Sequence, residues 1–186
     1  AHFTVLEELG YLKGERLTPR GRLARTVSGY EIQVTEMLFR GTLEDLEPAA
    51  LAVVFVGLIH EERRRFDRPY VPARLYGALR NEVSRLIGDL VSLEVREGID
   101  PPMKRPDWGL TQAVLAWLEG ASFEELAPRT DATPGDLCRV FRMAVQLMRN
   151  LRRVIDPEWD LHTSLRSAIE ALNRDEVDAR RQLELG

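Results

Sequence analysis

Five side chains, Arg139, Arg142, Gln146, Arg149 and Arg153, recur at intervals of three, four, three and four residues. That spacing keeps side chains on a single line along an α-helix. Guanidinium groups present several donors in one plane and can also stack, which suits phosphates and bases, and a glutamine adds neutral hydrogen bonds without lowering the positive potential. Between Pro134 and Ile155 there are five arginines, counting Arg152, against one acid, Asp136. The 186-residue chain as a whole has a formal net charge of −4, so it is no polycation that coats nucleic acid nonspecifically, and any such site must be local. A second reading of the same residues is an ordinary solvated face, its arginines paired with acids of neighbouring helices such as Glu124 or Asp175. Charge runs are usually surface, so pattern alone favours this second reading.

Other constellations that could do chemistry are incomplete. The sequence has no Gly-x-x-x-x-Gly-Lys-[Ser/Thr] phosphate loop, and His60-Glu61-Glu62 lacks the second histidine of a His-Glu-x-x-His zinc motif, His2 and His162 being far away in sequence. The single cysteine, Cys138, excludes an intrachain disulfide and a cysteine-built zinc site, and reads as inert filling beside an apolar face. It also favours a reducing compartment. No nucleophile has a base beside it. The expectation is no catalytic residue, no cofactor-binding residue and no metal ligand in this chain. Trp117 and Trp159 are expected in the core or at its edge, whereas Trp108, in a proline-rich stretch, could plug into a neighbouring domain.

Helices must position the arginine line, and the sequence supplies them. Thr133 precedes Pro134 and reads as a capping hydroxyl before a proline at the first helical position. Leu137, Val140, Phe141, Ala144, Leu147, Met148, Leu151, Val154 and Ile155 make a broad apolar face behind the arginines. Pro48 to Arg65 is the most apolar helix and is expected at the centre, with Glu61 and Glu62 facing solvent beside Arg63 to Arg65. From Leu75 a long helix carries one apolar stripe and turns Arg80, Glu82, Arg85 and Asp89 away, ending near Gly98. Residues 99–108 hold Pro101, Pro102 and Pro106, too many for a helix or a central strand. This loop is expected to join two helical halves. Shorter helices are expected over Gly21 to Val27, Glu31 to Arg40 (closed by Gly41), Leu110 to Leu118 and from Ser122, whose Ser-x-x-Glu spacing forms a capping box. A final helix or pair covers Trp159 to about Leu183. The opening reads as a helix end and a β-hairpin turning at Lys13-Gly14-Glu15.

The class is therefore all-α: a helical bundle with a small N-terminal helix-plus-hairpin element. With 44% hydrophobic and 30% charged residues, the chain can bury a core without a staple. Its longest apolar run, Ala49 to Ile59, is far short of the roughly 20 residues of a membrane span. A cytoplasmic protein without a membrane partner is expected, and the start at Ala1 suggests a piece of something longer.

Leu9-Gly-Tyr-Leu with Leu17-Thr-Pro-Arg-Gly-Arg-Leu-Ala24, Thr35-Glu-Met-Leu-Phe-Arg-Gly41, Leu46-Glu-Pro-Ala-Ala-Leu51 and Glu61-Glu62 resemble the first half of the DSHCT domain. This is the C-terminal helical module of Ski-like superfamily 2 DExH-box RNA helicases. Trp117-Leu-Glu-Gly-Ala-Ser-Phe-Glu-Glu-Leu126, Gly135-Asp-Leu-Cys-Arg139 and Arg174-Asp175 continue it in order, the Gly135-Asp136 form being similar to the bacterial branch. The resemblance implies that residues 1–28 are the tail of a winged-helix domain and 29–186 the DSHCT bundle. It also implies that the fragment packs on a RecA-like motor which holds ATP and Mg in the parent chain. The partner is then single-stranded RNA, with DNA as the other candidate strand, and the parent's role is RNA processing or decay. The family's ratchet helix, which lines the path of the translocating strand, falls on the arginine line. The alternative is a protein-docking module that never touches nucleic acid. Two departures are visible: Met143 and Gln146 stand where eukaryotic members have a basic and an acidic residue, and a Ser-Leu-Tyr ending is replaced by Gln182-Leu-Glu-Leu-Gly186.

Overall fold

Pro48 to Ile59 has no polar face to offer water, and the bundle forms around it. The computed structural model describes residues 1–27, 29–61 and 70–184, and these contain ten α-helices and one two-stranded hairpin. The chain opens with α1 (His2–Glu8), turns through antiparallel β1 (Leu12–Lys13) and β2 (Arg16–Leu17) with Leu12 opposite Leu17, and enters α2 (Pro19–Thr26). Then come α3 (Glu31–Phe39), α4 (Pro48–Ile59), α5 (Gly77–Arg96), α6 (Thr111–Leu118), α7 (Phe123–Leu126), α8 (Pro134–Val154), α9 (Asp160–Leu172) and α10 (Ala179–Glu184). This is the helical architecture with a small hairpin that the sequence implies.

In α4 every residue from Ala50 to Ile59 is buried, with α6, α8 and α9 packed on it. The helix stops at His60, whose extended backbone (φ −61°, ψ 135°) breaks the expected run to Arg65. Glu62 and Arg63 to Arg65 lie outside the described residues. Val83, Leu86, Ile87, Leu90 and Val91 of α5 join the same continuous core. A separate small cluster of Val5, Leu93 and Ile99 ties α1 to the far end of α5.

Local chemistry sets most boundaries. Thr18 accepts the Gly21 amide at 3.1 Å, so α2 starts at Pro19, two residues before the expected point. Ser122 and Glu125 form the reciprocal capping box on α7. Gly41 closes α3 at φ +75°, a conformation that costs a β-carbon. The C-terminal stretch is broken into α9, a 3₁₀ turn over Asp175–Val177 and α10.

Arg80 differs from expectation. Helical periodicity points it to solvent, yet it is buried, with Nε donating to the Leu75 carbonyl and Nη2 to that of Pro72, both at 2.9 Å. The residues before α5 are irregular, so their carbonyls lack helical partners, and the guanidinium fork supplies donors. Trp108 differs too. It plugs a notch in its own bundle, where Gly57 leaves room for the ring. A β-carbon at position 57 would lie 2.2 Å from Trp108 Cζ3. The indole Nε1 donates to Ser84 Oγ at 2.8 Å, and the Asp107 amide donates to the Gly57 carbonyl at 2.9 Å. The proline-rich loop is thereby pinned across α4 and α5.

Gly57→Ala should therefore lower stability by about 1–3 kcal/mol through overpacking, visible as a lower urea midpoint. An unchanged midpoint would mean that the loop is not seated on α4.

Candidate nucleic-acid interface

The orientation of α8 is fixed from behind. Thr133 Oγ1 accepts the Asp136 amide at 3.1 Å and starts the helix at Pro134. Leu137, Val140, Phe141, Ala144, Val145, Leu147, Met148 and Leu151 are all buried against α4 and α9. Rotating α8 by one residue would expose this face, so the opposite face is held toward solvent.

Trp117 braces the same core from α6. Its ring stacks on Phe123 with centroids 4.6 Å apart, meets Phe141 of α8 at 5.8 Å and carries the Arg174 guanidinium 3.7 Å from its centroid. The indole Nε1 donates to the Leu172 carbonyl at 3.0 Å, and Arg174 Nη2 donates to the carbonyls of Trp117 and Ala121 at 2.6 Å each. Trp159, by contrast, is about half exposed at the start of α9.

The five residues singled out by spacing come to one side of α8 with different environments. Arg139 is exposed, and its Nη1 contacts Met143 Sδ at 3.6 Å. Arg142 is half-buried and directed onto the C-terminal 3₁₀ turn, Nε donating to the Val177 carbonyl at 3.0 Å and Nη2 to that of Glu176 at 2.7 Å. Cys138 Sγ reaches the same Glu176 carbonyl at 3.2 Å, a packing role. Gln146 is exposed and donates to Asn150 Oδ1 at 2.9 Å. Arg149 and Arg153 are exposed and, among the described residues, make no hydrogen bond or ion pair.

The two acids named as partners for this line form no salt bridge with it among the described residues. Asp175 pairs with Arg174 at 2.5 Å and Arg181 at 3.2 Å, and Glu124 forms no salt bridge among the described residues. The exposed part of the line therefore keeps its positive potential. Arg139 also acts beyond its own helix: it depresses the pKa of His60, which burial already lowers, and that of Lys104, likewise lowered first by burial. Spacing alone could not reveal these neighbours, nor the carbonyls that engage Arg142, because both lie more than 30 residues away along the chain. The one local hint was the Lys104-Arg105 pair set between prolines.

Among the described residues no group of three or more His, Cys, Asp or Glu side chains could hold a metal ion, and no helix is long and apolar enough to cross a membrane. Comparison with known proteins places these features in context. The family model described as the DSHCT (NUC185) domain matches residues 14–179. The chain is 29% identical over 182 residues to the ATP-dependent RNA helicase mtr4 of Schizosaccharomyces pombe, covering 93% of this chain and 16% of that protein. It is 26% identical over 181 residues to superkiller complex protein 2 of Homo sapiens, covering 94% and 14%. To the probable helicase HelY of Mycobacterium leprae it is 30% identical over 189 residues, covering 91% and 20%. The chain thus spans no more than 20% of the length of these curated relatives.

The environments predict unequal mutants. Arg142→Ala removes both hydrogen bonds to the 3₁₀ turn and should cost about 1–3 kcal/mol, while Arg149→Ala and Arg153→Ala should each stay within about 0.5 kcal/mol of the parent. Chemical denaturation separates these cases, and equal effects at all three positions would contradict the assignment.

Proposed function

The chain belongs to the DSHCT domain family, and from that premise we propose that it is the C-terminal accessory domain of an ATP-dependent RNA helicase of the bacterial branch. In this reading residues 1–28 end a winged-helix domain, and residues 29–186 form the bundle that packs on a RecA-like motor and guides a translocating single strand along α8. The observation that carries the proposal is the exposed line of Arg139, Gln146, Arg149 and Arg153 on a helix whose other face is locked into the core. Arg142 belongs to the line by spacing, but two of its donors hold the C-terminal turn. Its contribution to strand binding is therefore chiefly to the potential.

A helix rises about 1.5 Å per residue, which puts Arg149 and Arg153 roughly 6 Å apart along the axis and Arg139 roughly 15 Å before Arg149. Cations so placed can meet successive phosphates of an extended strand without reading its bases. The affinity is then electrostatic, and the strand can slide. Met143, 40% exposed between the cations, and the neutral Gln146 offer a surface for bases or sugars in place of a charged pair.

The chemistry of ATP and Mg²⁺ is assigned to the motor. This sequence has no Gly-x-x-x-x-Gly-Lys-[Ser/Thr] phosphate loop, and no step of hydrolysis is routed through this domain. A role in RNA processing or decay in the cytoplasm follows from the same proposal.

Binding of oligouridine to the intact helicase, measured across a range of salt, tests the reading. The Arg149→Ala, Arg153→Ala double variant should reduce the magnitude of the log–log salt slope by about 1.4, at about 0.7 per lost phosphate contact on a single strand, and unwinding should slow. An unchanged slope with unchanged unwinding would favour the docking-module alternative.

A further inference from the structure

Away from α8, a cleft of about 340 Å³ opens at the C-terminal end of α4, walled by His60, Glu61, Val71 and Arg80 and by residues 104–109 of the proline-rich loop. Lys104 reaches in from the loop, half-buried, and its Nζ donates to the Ile59 carbonyl at 2.5 Å. An ammonium has three donors, so this bond uses one. Arg105 stands exposed on the rim. Its guanidinium lies 3.1 Å from where a β-carbon on Gly88 would sit, and it also lines an open groove along α5 with Asn81, Ser84 and Arg85. Arg80 is committed to backbone carbonyls.

Among the described residues of the wall, two carboxylates face these three cations. Asp107 is partly engaged, accepting the Gly109 amide at 2.8 Å and standing 3.9 Å from His60 Nε2. Glu61 is exposed. The wall therefore holds an excess of permanent positive charge around a space of small-ligand size. Burial is the main cause that lowers the pKa of His60 and of Lys104, and Arg139, at the N-terminal end of the α8 line, adds a smaller effect in the same direction at both.

We propose that this cleft is a phosphate subsite, in which Lys104 and Arg105 hold a phosphodiester of the same single strand that runs along α8, beyond its Arg139 end. The inference rests on the proposed RNA-facing role of α8. A phosphodiester would offer acceptors to the remaining Lys104 donors and to Arg105 through charge-assisted hydrogen bonds. Because the loop is pinned by Trp108 in the Gly57 notch, Lys104 and Arg105 are held in place before the strand arrives.

The test measures binding of fluorescein-labelled oligouridine to the intact helicase across a salt range for Lys104→Gln, Arg105→Gln, Arg105→Lys and the Arg149→Ala, Arg153→Ala double variant. Lys104→Gln and Arg105→Gln should each reduce the slope magnitude by about 0.7, and Arg105→Lys should retain the parent slope. If Lys104→Gln melts at a lower temperature than the parent, Arg105→Gln decides alone, since Arg105 is exposed and makes no hydrogen bond among the described residues. A parent-like slope in the cleft variants, with a reduced slope in the α8 variant, overturns the subsite and leaves the α8 reading standing. That pattern is also the result if a carboxylate of the parent chain fills the cleft. A reduced slope in the cleft variants alone leaves a phosphate contact at the cleft but overturns both the α8 reading and the cleft's place on a strand along α8, and parent-like slopes throughout likewise overturn both.

Discussion

Burial of α4 on every side is the constraint from which the rest of the molecule follows. Ten consecutive residues from Ala50 to Ile59 are withdrawn from water, and a buried aliphatic or aromatic side chain of this kind contributes about 1.5–3 kcal/mol relative to exposure. Such a helix cannot be covered by one neighbour. It draws α6, α8 and α9 around itself, and each of these must turn its own apolar face inward. The outward direction of the α8 cations is thus a consequence of a helix that carries no charge at all. Gly57 extends the same logic, since the lack of a side chain at one point on α4 admits Trp108 and fixes the loop that bears Lys104 and Arg105.

A second theme is how the protein employs its cations. Several tie irregular backbone to the bundle: Arg80 serves the residues before α5, Arg142 the C-terminal 3₁₀ turn, Arg174 the end of α6 and the loop after it, and Lys104 the last turn of α4. In each case a charged donor adds hydrogen bonds to carbonyls at helix ends or in irregular backbone. Arg20 and Arg40 converge instead on the buried Glu36, which also accepts the Tyr11 hydroxyl at 2.8 Å and joins the hairpin region to α3. Burial, reinforced by Glu36, lifts the Tyr11 pKa well above the ordinary tyrosine range, so this hydroxyl stays a donor. Against this background Arg149 and Arg153 stand apart as exposed cations with no structural partner among the described residues.

Helix order, the central place of α4 and the caps at Ser122 and Thr133 were legible in the sequence because they depend on neighbours within four residues. The solvent-facing line on α8 was legible for the same reason. Arg80 and Arg142 make contacts that periodicity does not reveal: it puts each off the apolar stripe, yet long side chains reach past a helix edge to carbonyls set by the tertiary fold. The seat of Trp108 is not legible locally because its notch is made by a glycine 51 positions earlier in the chain. The cleft at His60 was invisible for a similar reason, being assembled from four separated stretches of the chain.

The central claim, that α8 faces a moving RNA strand, is most directly tested by placing a photo-cross-linking amino acid at position 146 of the intact helicase and irradiating it with bound oligouridine. An RNA adduct that is lost on competition with unlabelled single strand is the expected result. Adducts to protein alone, unaffected by RNA, would contradict it and identify α8 as a docking face.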